Sequence, residues 1–250
     1  MNNGLWTSEN RNSPSVTIII PTKNESEDIA ETIEACLRID YEPKEILIVD
    51  DSSDDTPEIV RQYADRGVRM IHRAENRNGC CGARNEGMKN ARGELVTFFN
   101  ADDRPYPDFL RRMIPHFAAG ADYVVAQSKV RNLDNRWARY IRAGEIAAAG
   151  RFADFEWSEG FTCRQAAARA VGYSPGAFPV LVCRDWMLGD TLRQAGFRKR
   201  TDAEIIVEHI SPDNCRSFWH NQVWRSGMWA PSAYFMGGKS LGLVLVRELA

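Results

Sequence analysis

Residues 16–25 read Val-Thr-Ile-Ile-Ile-Pro-Thr-Lys-Asn-Glu, and residues 45–56 read Glu-Ile-Leu-Ile-Val-Asp-Asp-Ser-Ser-Asp-Asp-Thr. Each is a short β-branched run that gives way to polar residues. Between them lies Asp28–Ile39, in which Ile29, Ile33, Cys36 and Leu37 recur at helical spacing. Brief apolar runs separated by an amphipathic helix mark parallel strands joined by crossover connections. Working outward, the same rhythm predicts strands at Val68–His72, Leu95–Phe99 and Tyr123–Ala126. Helices are expected at Pro57–Ala64, Ala83–Ala91 and Pro107–Ala118, with Pro57 and Pro107 placed as first-turn prolines.

After Ser128 the rhythm changes to a long amphipathic stretch, Arg136–Ala148, then an aromatic and glycine-rich segment, Phe152–Phe178. A helix over Asp185–Ala195 and a strand over Glu204–Val207 are expected next. No linker separates the halves. The organisation expected is a polar tail (1–14), one domain (15–235) and an apolar tail (236–250) that leads towards a membrane region. The domain has a nucleotide-type front half, 15–128, and a back half, 129–235, that shapes a second site.

The 250 residues, 44% hydrophobic and 26% charged, suit a globular chain and exclude a disordered, collagenous or disulfide-scaffold protein. Lys and Arg number 32 against 34 Asp and Glu, so no basic field exists to hold nucleic acid, which is not an expected partner. Six cysteines, Cys36, Cys80, Cys81, Cys163, Cys183 and Cys215, form no C-x-x-C pair and read as reduced thiols of a cytoplasmic protein. The N-terminus lacks the charged-then-apolar pattern of a signal peptide, and no apolar run reaches the roughly 20 residues that span a bilayer.

Ligands of open parallel sheets bind beyond the carboxyl ends of the strands. Here those positions are Pro21-Thr-Lys-Asn-Glu25, Asp50-Asp-Ser-Ser-Asp54 and Asn100-Ala-Asp-Asp103, three polar and acidic loops expected at one edge. Asn100 and Asp102 stand two apart and would project to one side of an extended strand end, an oxygen set that suits Mg²⁺ or Mn²⁺. His209 closes the run Ile205-Ile-Val207 and is a further candidate metal ligand, beside the ordinary structural role of a strand-end histidine. A phosphate loop is excluded, because Met88 intervenes between Gly87 and Lys89 and no Ser or Thr follows. A G-x-G-x-x-G dinucleotide motif is likewise absent from the sequence.

Taken together, Val16–Glu25, Ile48–Thr56, Asn76-x-x-Gly79 with Ala83-Arg-Asn-x-Gly87, and Phe99–Asp103 with Pro107 resemble the inverting glycosyltransferases of family 2. Cys183-Arg-Asp-Trp-Met-Leu188 followed by Arg193-x-x-Gly196 resembles that family's segment carrying the catalytic base. The resemblance implies the GT-A fold: α/β, a mostly parallel central sheet flanked by helices, a Rossmann-like nucleotide half fused to an acceptor-binding half. It implies a nucleotide-diphosphate sugar donor, UDP- or GDP-linked, and a glycan or lipid-linked acceptor. Pro21, Thr22, Asn24, Glu25, Asp50 and Asp51 would line the nucleotide, with Arg84 beside it. Asn100, Ala101, Asp102 and Asp103 would meet ribose, metal and sugar, with Asp102 and His209 on Mg²⁺ or Mn²⁺ and Asp185 as general base. Trp157, Gly160, Phe161, Arg184, Trp186, Trp224 and Arg225 would face the acceptor.

Two departures stand out. The family more often has Asp at the place of Asn100, and Glu-Asp at the place of Arg184-Asp185, so at these positions this chain has two negative charges fewer and one positive charge more. Gln222-Val-Trp-Arg225 does not match the order found in processive members. Trp219, Trp224 and Trp229 are read either as a buried aromatic cluster or as a cover for the acceptor or a membrane contact, which would place the protein at the cytoplasmic face. A nucleotidyltransferase of similar fold and a nucleotide-sugar-binding module without turnover are the alternative functions.

Overall fold

The run Val16–Thr22 forms the first strand, β1, and its side chains alternate between two cores. Val16, Ile18 and Ile20 enter one core and Ile19 enters the other. Burial on both faces is what an uninterrupted isoleucine run encodes in a parallel sheet covered by helices. The structure is a computed structural model and describes residues 13–73, 79–149, 159–173 and 187–219. After β1 come α1 (Ile29–Leu37), β2 (Lys44–Asp50), α2 (Thr56–Arg61), β3 (Val68–His72), α3 (Gly79–Asn90) and β4 (Leu95–Phe98). Then follow β5 (Asp103–Pro105), α4 (Phe109–Ala118), β6 (Tyr123–Val130), α5 (Arg136–Ala149), β7 (Thr162–Arg164), α6 (Gln165–Ala170), α7 (Met187–Gln194) and β8 (Lys199–His209).

One eight-stranded sheet runs β3-β2-β1-β4-β7-β6-β8-β5. Four of the five strands expected in the parallel array, β1 to β4, pair in parallel; the fifth, Tyr123–Ala126, lies in β6, which pairs antiparallel with β7, as β4 also does and as β5 does with β8. The register sets Thr22 beside Asp50 and Asp50 beside His72, which lines up three strand ends. On one face, Ile29 and Ile33 of α1, Val60 of α2 and Phe109, Met113 and Phe117 of α4 fill the core. On the other, Met88 of α3, Ala167 and Ala168 of α6 and Leu188 and Leu192 of α7 do so. Each large side chain so buried contributes roughly 1.5–3 kcal/mol.

Several boundaries differ from expectation for local reasons. Pro107 lies outside its helix: Asp108 is the N-cap of α4, and the Pro107 carbonyl accepts the Asp40 amide at 2.7 Å. The helix α3 starts at Gly79 rather than Ala83, through glycines that read as loop. Strands β5 and β7, three residues each, are too short to leave a periodic signal. Cys36, Cys80, Cys163 and Cys215 form no disulfide, whereas Cys81 is disulfide-bonded, which corrects the expectation of reduced thiols throughout. Among the described residues no helix is long and apolar enough to cross a membrane.

The chain divides into two compact units. The first, Met1–Lys129 with Asp154–Ala177 and Cys183–His209, takes β7, α6, α7 and β8 from beyond Ser128. The second comprises Val130–Ala153, Phe178–Val182 and Ile210–Ala250. Within it, Asn132 exchanges hydrogen bonds with the backbone of Ser211 at 2.6 and 2.9 Å, and Phe218 packs 4.7 Å from Trp137 and 5.5 Å from Tyr140. Trp219 is exposed, so it is not part of a buried aromatic cluster; Trp224 and Trp229 lie outside the described residues, as do the tails 1–12 and 236–250.

Gly160, expected to face the acceptor, is instead a packing position of the first unit. Its φ of +73° is left-handed, and a Cβ there would stand 2.8 Å from Val207 Cγ2, 2.9 Å from Ala126 Cβ and 3.0 Å from Phe109 Cε2. Both backbone strain and overpacking oppose a side chain at this point. Gly160→Ala is expected to destabilise the protein by about 2–4 kcal/mol, read as a lower midpoint of urea unfolding; an unchanged midpoint would contradict the packing described.

Candidate active site

The sheet's carboxyl edge gathers side chains from strands far apart in sequence. Thr22 Oγ1 donates to Asp50 Oδ1 at 2.7 Å, and His72 Nδ1 lies 2.7 Å from Asp50 Oδ2. A carboxylate accepts, so the imidazole hydrogen sits on Nδ1. Asp50 has no solvent exposure, whereas the His72 ring is 44% exposed. The Asp50 carboxylate ties three strand ends together, and the exposed group there is His72. Sequence reading passed over His72, although it too ends a strand at this edge.

The loops after β1 and β2 are knit to each other. Asn24, at φ +58°, accepts the Ser53 amide through Oδ1 at 2.9 Å and donates its own amide to Ser52 Oγ at 2.8 Å. The Glu25 amide donates to Thr56 Oγ1 at 2.9 Å. Asp51 accepts two hydrogen bonds from Arg73, one of them from Nε at 2.6 Å, and its amide donates to the Thr22 carbonyl at 2.9 Å. Asn24 and Asp51 therefore build the loops expected to hold the nucleotide, while Pro21 is partly exposed at the end of β1.

The segment after β4 is a tight turn, not the extended strand end expected from its spacing. The Asp103 amide donates to the Asn100 carbonyl at 3.2 Å, and the Asn100 amide donates back to Asp103 Oδ2 at 2.7 Å. Its polar residues converge by folding back rather than by strand alternation. Ala101 is buried, and its carbonyl accepts from Thr32 Oγ1 of α1. Arg104 Nη1 donates to the same hydroxyl at 2.5 Å, and Nη2 pairs with Asp28 at 3.2 Å and Glu31 at 3.1 Å. Arg84, buried on α3, donates to Asn100 Oδ1 at 2.8 Å.

This geometry concentrates negative charge. Burial, with Asp102, Asp28 and Asp54 nearby, pushes Glu25 from its ordinary 4.5 up to about 7. Burial raises Asp102, Glu159 raises it further, and His209 pulls the other way. Asp103, wholly buried, is pushed well above the usual carboxylate range by burial and then by Glu159 and Asp102. Its Oδ1 has no hydrogen-bond partner among the described residues. His209, nearly buried, is in register opposite Asp103 across the β5–β8 pair. Asp102 and His209 are thus brought to one place, and excess negative charge beside a histidine fits a divalent cation. Among the described residues no three His, Cys, Asp or Glu side chains form a metal-binding group by themselves.

Phe161, expected at the acceptor, belongs to the core, its ring stacked 6.1 Å from Phe98 and 5.7 Å from Tyr123. The alternation of an aromatic segment carries no mark of which ring is inside. Trp157, Arg184, Asp185, Trp186, Trp224 and Arg225 lie outside the described residues. Glu159 is a site residue that no motif signalled.

The family model described as Glycosyl transferase family 2 matches residues 17–171. Among curated proteins, the chain is 39% identical over 136 residues to the succinoglycan biosynthesis protein ExoO of Rhizobium meliloti, covering 54% of this chain and 39% of that one. It is 32% identical over 177 residues to glucomannan 4-beta-mannosyltransferase 7 of Arabidopsis thaliana, covering 66% of this chain and 30% of that one. The chain thus spans well under half the length of either relative. Among solved structures, the mannosyltransferase PcManGT from Pyrobaculum calidifontis, in complex with GDP-Man and Mn²⁺, superposes with a TM-score of 0.69 at 23% identity, covering 87% of this chain and 62% of that one. TarS 1-349 of S. aureus, in complex with UDP-GlcNAc, gives 0.62 at 17% identity, covering 94% and 71%. This chain shares the GT-A fold of these two solved structures.

Glu25 sets a pH dependence of stability. The folded protein keeps its proton up to about pH 7, while the unfolded chain releases it near 4.5. The folded state therefore binds more protons between those values and loses stability as pH rises through them. Glu25→Gln is expected to shrink the loss between pH 5 and pH 7.5 in urea titrations; a variant with the wild-type slope would remove Glu25 as a source.

Proposed function

The chain belongs to glycosyl transferase family 2, and on that premise we propose that it moves a hexosyl group from a nucleotide-diphosphate sugar to an acceptor hydroxyl with inversion at the anomeric carbon. The observation that carries this reading is the turn Asn100–Asp103, which follows the strand next to β1 and holds Asp103 opposite His209 with Asp102 near the same histidine. Asp102 and His209 would hold Mg²⁺ or Mn²⁺, the remaining positions being left to water and diphosphate oxygens. When bound, such a cation supplies charge neutralisation for the departing diphosphate. Asp103 lies beneath this point to orient the sugar, and the exposed His72 ring and Pro21 meet the nucleotide. Asp185 takes the proton from the acceptor hydroxyl as its oxygen bonds to the anomeric carbon, and the diphosphate leaves with the electrons of the broken bond.

Both UDP and GDP fit this proposal, since the PcManGT structure is a complex with GDP-Man and the TarS structure one with UDP-GlcNAc. A glycan or lipid-linked glycan as acceptor is supported by the names of the two curated relatives, which concern succinoglycan and glucomannan. Calorimetric titration with each nucleotide is expected to give binding of one only when Mn²⁺ is present. Asp185→Asn should cut transfer by about 10²–10⁴-fold with nucleotide affinity unchanged. No binding of either nucleotide by folded protein would reject the reading, and retained turnover would remove Asp185 as base.

We propose a membrane surface as the place where a lipid-linked acceptor is met. In the second unit, Tyr140 and Trp219 are exposed beside Phe218, with Arg136 and Arg139 exposed on α5. Aromatic and basic side chains in one patch suit the boundary of an anionic bilayer. The protein is expected to sediment with vesicles containing phosphatidylglycerol and not with phosphatidylcholine alone; Trp219→Ala with Tyr140→Ala should abolish this, and unaltered sedimentation would refute the patch.

A further inference from the structure

Asn100 is held between two groups of opposite charge. Arg84 Nη2 donates to its Oδ1 at 2.8 Å, and its own Nδ2 donates to Glu159 Oε1 at 3.4 Å. A guanidinium offers only donors and a carboxylate only acceptors, so the two neighbours fix which end of the amide faces which. An amide satisfies both at once. An aspartate at position 100 would bond Arg84 but set a like charge against Glu159, so the residues at 100 and 159 are chemically matched.

The backbone places Glu159 at this point. The Gly160 amide donates to the Phe98 carbonyl at 2.9 Å and the Phe98 amide donates to the Phe161 carbonyl at 2.9 Å, which pins residues 160 and 161 to the last residue of β4. Gly160 can take no side chain there, so residue 159 is delivered beside the turn as part of the packing. From that position its charge reaches both Asp102 and Asp103. The unpartnered, fully buried Asp103 Oδ1 is a second sign that the turn is built to face a cation.

We propose that Glu159 is a positioning residue of the donor site that carries, in this chain, the negative charge an aspartate at position 100 would carry, transmitted through the Asn100 amide. The inference rests on the family reading above and deepens it. The charge offered to the cation and diphosphate is conserved in amount but comes from the loop before β7 instead of the turn after β4.

Three variants test it: Glu159→Gln, Asn100→Asp, and the two combined, each checked for folding by circular dichroism. Mn²⁺ affinity is read by electron paramagnetic resonance of free Mn²⁺ with UDP or GDP present, and stability without metal by urea unfolding. Glu159→Gln is expected to weaken Mn²⁺ by about 10-fold, and Asn100→Asp in that background to restore it to near the wild-type value. Asn100→Asp alone, with two carboxylates face to face, should bind Mn²⁺ at least as well as wild type but unfold at lower urea. A purely structural Glu159 would not be rescued by a charge at position 100. Wild-type affinity in Glu159→Gln, or a double variant no tighter than Glu159→Gln, would overturn the inference and leave the family reading intact. Should Glu159→Gln not fold, an undiminished urea midpoint in Asn100→Asp would overturn it and a lowered one support it. Wild-type protein that bound neither Mn²⁺ nor nucleotide would overturn both.

Discussion

Like charge crowded at one sheet edge is the constraint on which the rest of the architecture depends. Glu25, Asp102, Asp103 and Glu159 come from three separate loops; beyond the effect of burial, Asp102 makes Glu25 and Asp103 harder to ionise, and Glu159 does the same to Asp102 and Asp103. Left alone, such an arrangement would push the loops apart. Two buried arginines oppose that. Arg84 reaches the turn from α3 through Asn100, and Arg104 anchors it from beneath to Asp28, Glu31 and Thr32. Removing either partner of such a buried network would leave an uncompensated charge, which costs more than the pair contributes. The edge is therefore stable enough to persist yet short of positive charge, the condition under which a cation and a diphosphate can be exchanged.

The coupling through Thr32 gives the first helix a second duty. Its hydroxyl donates to the Ala101 carbonyl and accepts from Arg104, so α1 is bonded to the turn at its midpoint as well as packed on the sheet. Ile29, Ile33 and Cys36, on the same buried face of α1 as Thr32, enter the core with Ile18 and Ile20 of β1. A single buried face of one nine-residue helix thus both packs in the core and bonds the turn that carries Asp102.

The parallel array was legible because both faces of its central strands are buried, which forces unbroken runs of strand-forming residues such as 16–20 and 46–49. The three acidic loops were legible as a set because strand order brings carboxyl ends to one edge. What could not be read follows from interactions between residues far apart in the chain. Nothing near Asp50 signals that His72, 22 positions on, closes over it, although the strand-end rule that selected Asp50 applies equally to His72. Glu159 sits in a segment without periodicity, and its place depends on the left-handed turn at Gly160. Phe161 and Gly160 were assigned to an acceptor because aromatic and glycine residues serve both surfaces and cores. Asn100 and Asp102 do converge, but by a turn closed through Asp103, a bond that spacing does not encode.

The strand order also dictates how the chain must emerge during synthesis. One edge of β1 is matched by β2 as soon as Lys44–Asp50 has been made, but its other edge waits for Leu95–Phe98. Until then Val16–Ile20 presents an unpaired row of backbone groups flanked by isoleucines, the kind of segment that recruits foreign strands. A ribosome-bound fragment ending before residue 95 therefore carries the protein's most aggregation-prone surface at its very centre, and the interval of translation between β2 and β4 is when a chaperone would matter most.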